Sequence, residues 1–244
     1  MTFKWSEYSK NMYFGGKSKA WTKFNLKRIK LVKKTIQKHL KKGQTLEIGS
    51  YDLFSITNIM HQKNKHKFKE ITLLDLYTEK EIYAIAKNNM NLLKEKYPKT
   101  KFELKRGDAQ KLNLKKKYDN VFAFETLEHI KEEKKAIENI GKITKKDGLL
   151  FISYPIEFGA VFVIKSIGRK ILLGNDKHTI KELFYGLIGK TKKLTKIKGS
   201  HRGYDFRETF RELEKNKFKL QKNKYYPINN KFFAYGGCAV FRKK

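Results

Sequence analysis

The stretch TLEIGSYDLFSITNIMHQ (residues 45–62) decides the fold, because a buried strand expected at 45–50 leads into a helix expected at 53–62. A second such pair follows directly, with the apolar run ITLLDLY (71–77) and a helical segment at 79–97. The pattern then continues in strands expected at 101–109, 118–125 and 147–155. Strands that alternate with helices are typical of βαβ units, so we expect a mainly parallel sheet flanked by helices.

Two segments lie outside this alternation, one before it and one after the fifth strand. Residues 1–42 are expected to form a helical arm, with apolar residues at helical spacing over 17–42 (Leu26, Ile29, Val32, Ile36 and Leu40). Residues 156–203 are expected to form an insertion or lid. The chain then resumes with a helix expected at 205–216 and strands at 218–228 and 232–241. We therefore expect a single α/β domain over 1–244.

The net charge of +33 is the most unusual feature of the composition. Only seven of the 57 basic residues are arginine, the residue that proteins favour for reading nucleic acid. The charge therefore indicates a lysine-coated surface more than a dedicated nucleic-acid groove, although nucleic acid stays a candidate partner.

Cysteine content and hydropathy limit the cellular setting. Cys238 is the one cysteine, and no Cys/His cluster has the spacing of a zinc site, so we expect neither a disulfide nor a bound metal. The N-terminus MTFKWSEYSK lacks the apolar core of a signal peptide, and no apolar run is long enough to span a bilayer. A cytoplasmic or membrane-peripheral protein is expected.

Acidic residues stand at or near the ends of four successive strands. They are Glu47, Asp75, Asp108 and Glu125. Ligands of open parallel sheets bind outside the carboxyl ends of the strands, so four acids there favour a cationic or hydroxyl-rich ligand.

The glycine pattern after the first strand narrows the choice of ligand. A dinucleotide site needs a run of glycines that lets the backbone reach the pyrophosphate, but here only Gly49 is in place. Tyr51 and Leu53 occupy the next two glycine positions. S-adenosylmethionine has no phosphate, and its diol, amine, ammonium and sulfonium groups suit carboxylates, so it fits better.

Five segments resemble, in order, the successive motifs of the class I S-adenosylmethionine-dependent methyltransferases. They are LEIGS, LLDLY, RGDAQKL, YDNVFAFETLEHI and KDGLLFISYP, within about residues 40–155. The resemblance implies a Rossmann-like, seven-stranded, mostly parallel sheet with one antiparallel strand near the end. It also implies a cofactor site in which Glu47 and Gly49 lie by the methionine moiety, Asp75 holds the ribose, Asp108 and Ala109 border the adenine, and Glu125 lies below the sulfonium, with Ser50, Tyr51 and Leu76 beside them.

The first motif departs from the family pattern at Tyr51 and Leu53. Either the loop takes another path, with Tyr51 stacking or hydrogen-bonding near the cofactor, or binding is weakened or lost. We expect binding to be retained, because the other strand-end acids are in place.

Methyl transfer depends mainly on aligning acceptor, methyl group and sulfur in a dry pocket, so no residue must be a catalytic base. The candidates are Glu128 and His129 after strand four, and His201 and Tyr204 before the late helix. Alternatively, Glu128 and His129 are structural ties, and His201 lies on the surface while Asp205 caps the helix. The aromatic N-terminus (Trp5, Tyr8, Tyr13 and Phe14) either closes over the cofactor or packs on the sheet.

The basic amphipathic helix expected at 158–173 bears on the acceptor. It is expected to be a lid with its apolar face turned inward, or else a helix lying on an anionic membrane surface. We therefore expect methyl transfer to a small-molecule, lipid-linked or glycan acceptor. An RNA methyltransferase and a non-catalytic S-adenosylmethionine-binding or interaction protein are the alternatives.

Overall fold

Seven strands form one sheet in a computed structural model that describes residues 2–14, 19–60, 65–173, 178–196, 201 and 203–244. The strands are β1 (Gly43–Ile48), β2 (Phe68–Asp75), β3 (Lys101–Arg106), β4 (Tyr118–Phe124), β5 (Thr144–Pro155), β6 (Phe218–Tyr226) and β7 (Gly236–Lys243). Their order in the sheet is β3-β2-β1-β4-β5-β7-β6. The first five strands are parallel, and β7 runs antiparallel to both β5 and β6. The expected Rossmann-like sheet is confirmed.

Eight α-helices surround this sheet in the part of the chain that the structure describes. They are α1 (Glu7–Tyr13), α2 (Lys19–His39), α3 (Phe54–Met60), α4 (Lys80–Lys96), α5 (Glu133–Ile143), α6 (Gly159–Leu173), α7 (Ile180–Leu187) and α8 (Phe206–Lys215). Neighbouring residues of β4 enter different cores, with Val121 packing beside α5 and α8 and Phe122 beside α2, α3 and α4. Burial on both faces explains why the strands are almost continuously apolar.

Most element boundaries lie within a few residues of the expected ones. β7 begins at Gly236 instead of 232, because a 3₁₀ turn over Lys231–Phe233, capped by Asn230, occupies the start of that apolar run. The N-terminal arm contains two helices, and Leu26, expected on the apolar face of the longer one, is 49% exposed.

A chain of hydrogen bonds joins α5 to α8. The Thr209 hydroxyl donates to Glu133 Oε1 at 2.5 Å, and the Tyr204 hydroxyl lies 2.8 Å from Thr209 Oγ1. Burial raises the pKa of Glu133 from its usual 4.5 to about 7. Tyr204, which precedes α8, is therefore bonded to that helix through Thr209.

The raised pKa of Glu133 predicts a pH-dependent loss of stability. Between pH 4.5 and 7 the folded protein keeps this proton more tightly than the unfolded chain, so the free energy of unfolding falls as pH rises. Glu133→Gln removes this contribution. We therefore expect the free energy of unfolding of the variant, relative to that of the wild type, to rise by about 3 kcal/mol from pH 4.5 to pH 7.5. Urea unfolding of both proteins across this range measures the difference, and parallel stability curves would contradict the assignment.

The insertion helix α6 turns a polar side toward the protein. Ser166 is buried, and Lys165 Nζ pairs with the buried Glu157 Oε1 at 2.5 Å. By contrast, Ile164 and Ile171 are 68% and 76% exposed. The expected lid with an inward apolar face is therefore not what the structure has: Phe162 is buried, but Ile164, Ile167 and Ile171 are exposed. Among the helices that the structure describes, none is long and apolar enough to cross a membrane.

Candidate active site

A cavity of about 1500 Å³ lies at the carboxyl ends of β1, β2 and β4. The strand order reverses between β1 and β4, which is where open α/β sheets bind their ligands. The strand ends and following loops contribute Ile48, Gly49, Ser50, Tyr51, Asp75, Leu76, Asp108, Ala109, Glu125 and Thr126. Other elements contribute Tyr8, Ser9, Tyr13, Arg28, Lys33, His129, Glu157, Lys165, His201 and Tyr235.

The loop after β1 keeps a glycine-type backbone at non-glycine residues. Gly49 has a φ of 75°, and Tyr51 and Leu53 have φ values of 46° and 66°. A Cβ atom on Gly49 would lie 2.3 Å from Thr126 Oγ1, so the backbone there needs glycine. Left-handed φ values cost ordinary residues of order 1 kcal/mol and persist only where the surroundings hold them.

Hydrogen bonds to two carboxylates hold this loop in place. The Tyr51 N–H donates to Asp75 Oδ2 at 2.9 Å, which ties the loop to the end of β2. The buried Asp52 accepts bonds from the N–H and hydroxyl of Ser6 at 3.0 and 2.7 Å. These bonds explain how Tyr51 and Leu53 keep positive φ values.

The Ser6–Asp52 bonds also fix α1 over the cavity. The Tyr8 ring meets the Tyr51 ring edge-on at 5.9 Å, and Tyr13 stacks on Phe54 at 4.0 Å. The aromatic arm therefore packs on the protein, as one of the two interpretations expected, and its Tyr8 and Tyr13 also line the cavity.

Three of the four strand-end acids line the cavity, namely Asp75, Asp108 and Glu125. Glu47 is not among the lining residues, and its side chain is buried, with 1% exposed. Burial raises the pKa of Glu47 well above its usual value, and the charges of Asp75 and Asp52 raise it further. Gly49, Ser50, Tyr51, Leu76 and Ala109 also lie at the cavity as expected.

A buried ion pair joins α2 to the end of β4. Arg28 Nη1 lies 2.7 Å from Glu125 Oε2, with side chains 7% and 15% exposed, and Arg28 Nη2 donates to the Tyr13 hydroxyl at 2.7 Å. Arg28 was not predicted as a site residue from the sequence. Arg28 precedes the core residues Val32 and Ile36 by four and eight residues, and this spacing could have indicated that it lies on the inward face of α2.

Two histidines meet at the cavity wall. His129 Nε2 and His201 Nε2 are 3.1 Å apart, and Glu128 Oε1 lies 3.8 Å from the same His201 atom. His129 and His201 line the cavity, whereas Glu128 is buried behind them and Tyr204 lies away from it, bonded to Thr209. Asp205 caps α8, as the alternative interpretation expected. Spacing rules missed the histidine pair, because 72 residues separate its members.

The residues that line the cavity suit the functional groups of S-adenosylmethionine. Asp75 at the end of β2 can accept from a ribose diol, and Asp108 and Ala109 can border an adenine. Gly49 lines the cavity beside Asp75 and can border the amino-acid end. The fold and this site define a doubly wound α/β protein with a cavity at the carboxyl edge of its sheet.

Comparisons with known proteins find similarity to methyltransferases. Residues 55–152 match the family model described as "Methyltransferase domain". A S-adenosylmethionine-dependent methyltransferase from Clostridium acetobutylicum is 12% identical, with a TM-score of 0.60 over 89% of this chain and 91% of that chain. Magnesium protoporphyrin IX methyltransferase from Synechocystis, with bound SAH, is 12% identical, with a TM-score of 0.60 over 93% and 88%. The N-methyltransferase NodS from Bradyrhizobium japonicum is 12% identical, with a TM-score of 0.57 over 91% and 97%.

No curated protein sequence matches the chain. At 12% identity, the solved structures establish the fold. The family-model match over residues 55–152 indicates a methyltransferase domain in that part of the chain. The family model and these structures support an enzyme whose cofactor is S-adenosyl-L-methionine.

Gly49→Ala is expected to weaken cofactor binding at least ~10-fold. The new methyl group would meet Thr126 Oγ1, and the φ of 75° disfavours alanine, so the loop must shift. Calorimetry with S-adenosylhomocysteine measures the change, with Gly168→Ala as control because open space surrounds that glycine. Equal affinity of the Gly49 variant and the wild type would contradict the role given to this loop.

Proposed function

We propose that the protein transfers the methyl group of S-adenosylmethionine to a lipid-like or lipid-linked acceptor at an anionic membrane surface. The observation that carries this proposal is the two-sided character of α6. Lys165 on one side lines the cavity, and Ile164, Ile167 and Ile171 on the other side are exposed. A cavity wall whose outer side is apolar suits an acceptor that is held in or near a membrane.

The next helix, α7, also exposes apolar side chains. In α7 and just after it, Ile180, Phe184 and Ile188 are 84%, 57% and 47% exposed. The α6 and α7 helices pack together, since a Cβ atom on Gly186 would meet the Phe162 ring. Exposed apolar side chains on a chain of net charge +33 fit a surface of anionic lipids, which attracts lysine and accepts apolar groups.

The size of the cavity leaves room for two ligands. Cavities that hold one drug-sized molecule are commonly about 300–1,000 Å³, and this one is about 1500 Å³. The acids at the ends of β2 and β4 suit the cofactor. The region by His129, His201, Lys165 and Tyr235 is left for the acceptor.

The bound cofactor supplies an activated methyl group on a sulfonium. The residues of the chain bind and orient the two reactants and keep water out. The α1 helix, held by the Ser6–Asp52 bonds, covers one side of the cavity. The Lys165–Glu157 pair fixes α6 on another, so alignment accounts for much of the rate.

Vesicle co-sedimentation tests the membrane part of the proposal. The wild type should sediment with anionic vesicles, and Ile164→Asp/Ile171→Asp should lose at least ~10-fold in affinity, because two apolar contacts are replaced by charges that anionic lipid repels. Leu26→Asp is the matched control, since it changes an exposed apolar residue on α2. Equal binding of wild type and double variant would reject α6 as the contact.

A labelling experiment tests the acceptor. Labelled S-adenosylmethionine, the protein and a total lipid extract should give label in the organic phase. Label that stays in the aqueous phase on a soluble metabolite, or that enters RNA, would contradict a lipid acceptor. RNA affinity that only follows salt would reflect the lysine surface alone.

A further inference from the structure

The methyl transfer proposed above leaves unexplained a cluster of three side chains at the cavity wall. Glu128 and His129 belong to the 3₁₀ turn Leu127–His129 that follows β4, and His201 comes from the end of the insertion. One ligand atom from each of the three lies within 4.8 Å of the other two. Segments separated by 72 residues thus bring two imidazoles and a carboxylate to one point.

Glu128 gives a second, independent indication of a ligand. Its side chain is 0% exposed, and neither carboxylate oxygen has a hydrogen-bond partner among the residues that the structure describes. A buried carboxylate without partners costs several kcal/mol unless a cation compensates it. The nearby Glu125 also has one buried oxygen, Oε1, that lacks a hydrogen-bond partner within the described chain.

We propose that Glu128, His129 and His201 bind a divalent transition-metal ion at the cavity wall. Two nitrogen ligands about 2.0–2.1 Å from a tetrahedral zinc lie roughly 3.3 Å apart. The two Nε2 atoms are 3.1 Å apart, and Glu128 Oε1 is 3.8 Å from His201 Nε2, so small side-chain adjustments complete the site.

The donor set defines the class of metal. Imidazole suits zinc, iron and other first-row transition metals, and a carboxylate extends the range to manganese. Three protein ligands leave coordination positions open, which is the arrangement of catalytic rather than structural sites. His129 and His201 line the cavity, so the open positions face the region left for the acceptor.

This position deepens the proposed function and rests on it. A metal ion there would take an acceptor hydroxyl as a further ligand and lower its pKa. The hydroxyl proton goes to water, the oxygen forms a bond to the methyl carbon, and the sulfur keeps the electron pair of the broken bond. The acceptor class would then be a hydroxyl compound.

Metal titration tests the site without the cofactor or an acceptor. Chelator-treated protein is titrated with Zn²⁺ and with Mn²⁺ by calorimetry, and we expect one ion per chain for at least one of these metals. His201→Ala and Glu128→Gln should each weaken binding at least ~100-fold. His66→Ala, which changes an exposed histidine on another surface, should bind as the wild type does. Absence of binding by the wild type, or equal binding by the variants, would overturn the proposal.

Two further measurements distinguish loss of the metal site from misfolding of a variant. Circular dichroism checks that the variants fold, and the visible absorption of Co²⁺ bound to the wild type reports nitrogen and oxygen ligands without any substitution. A Co²⁺ spectrum of the fully hydrated ion would overturn the site. Metal binding with cofactor binding intact, but with no effect of metal on lipid labelling, would overturn the acceptor role alone.

Discussion

Asp75→Ala is expected to weaken the binding of S-adenosylmethionine at least ~100-fold. The carboxylate lines the cavity at the end of β2, and it also accepts the Tyr51 N–H that holds the loop after β1. Two charge-assisted hydrogen bonds to a ribose diol at about 1.5 kcal/mol or more each account for this factor. Calorimetry on the wild type and the variant measures the two dissociation constants.

Two further variants separate charge from general damage. Asp75→Asn keeps an oxygen that can accept the Tyr51 N–H, so it should preserve the loop and still bind the cofactor less tightly. Glu95→Ala, at an exposed position of α4, should bind as the wild type does. If Asp75→Ala bound with wild-type affinity, the ribose would not lie on β2.

Arg28→Met is expected to lower the free energy of unfolding by about 3–5 kcal/mol. Removing the guanidinium leaves the Glu125 carboxylate, which is 15% exposed, without its ion-pair partner at 2.7 Å. For a chain of this length the expected fall in melting temperature is roughly 6–20 °C. Thermal and urea unfolding measure the change.

The double variant Arg28→Met/Glu125→Gln serves as the control for the ion pair. It removes both charges, so it should be clearly more stable than Arg28→Met alone. Losses that simply add in the double variant would mean that the two side chains do not stabilise each other. Lys27→Met changes the neighbouring exposed cation and should have almost no effect.

The fold could be predicted from the sequence, because its signals are local. Apolar runs such as ITLLDLY mark strands buried on both faces, and acids after them mark the carboxyl edge of the sheet. These signals also placed Asp75, Asp108 and Glu125 at the cavity. Glu47 was expected there as another strand-end acid, but its side chain is buried and does not line the cavity.

The remaining features depend on contacts between distant segments. No local pattern indicates that Asp52 and Asp75 hold Tyr51 and Leu53 at positive φ, or that His201 meets His129. The expectation that the apolar face of α6 turns inward was wrong for a related reason. Periodicity defines two faces of a helix, but packing decides which one turns inward, and here the Lys165–Glu157 pair does so.

A crystal structure with S-adenosylhomocysteine tests the central claim most directly. It should have the ribose hydroxyls on the Asp75 carboxylate, the adenine beside Asp108 and Ala109, and the amino-acid end by Gly49. Ligand density elsewhere, or none at saturating concentration, would contradict the assignment of this cavity as the cofactor site.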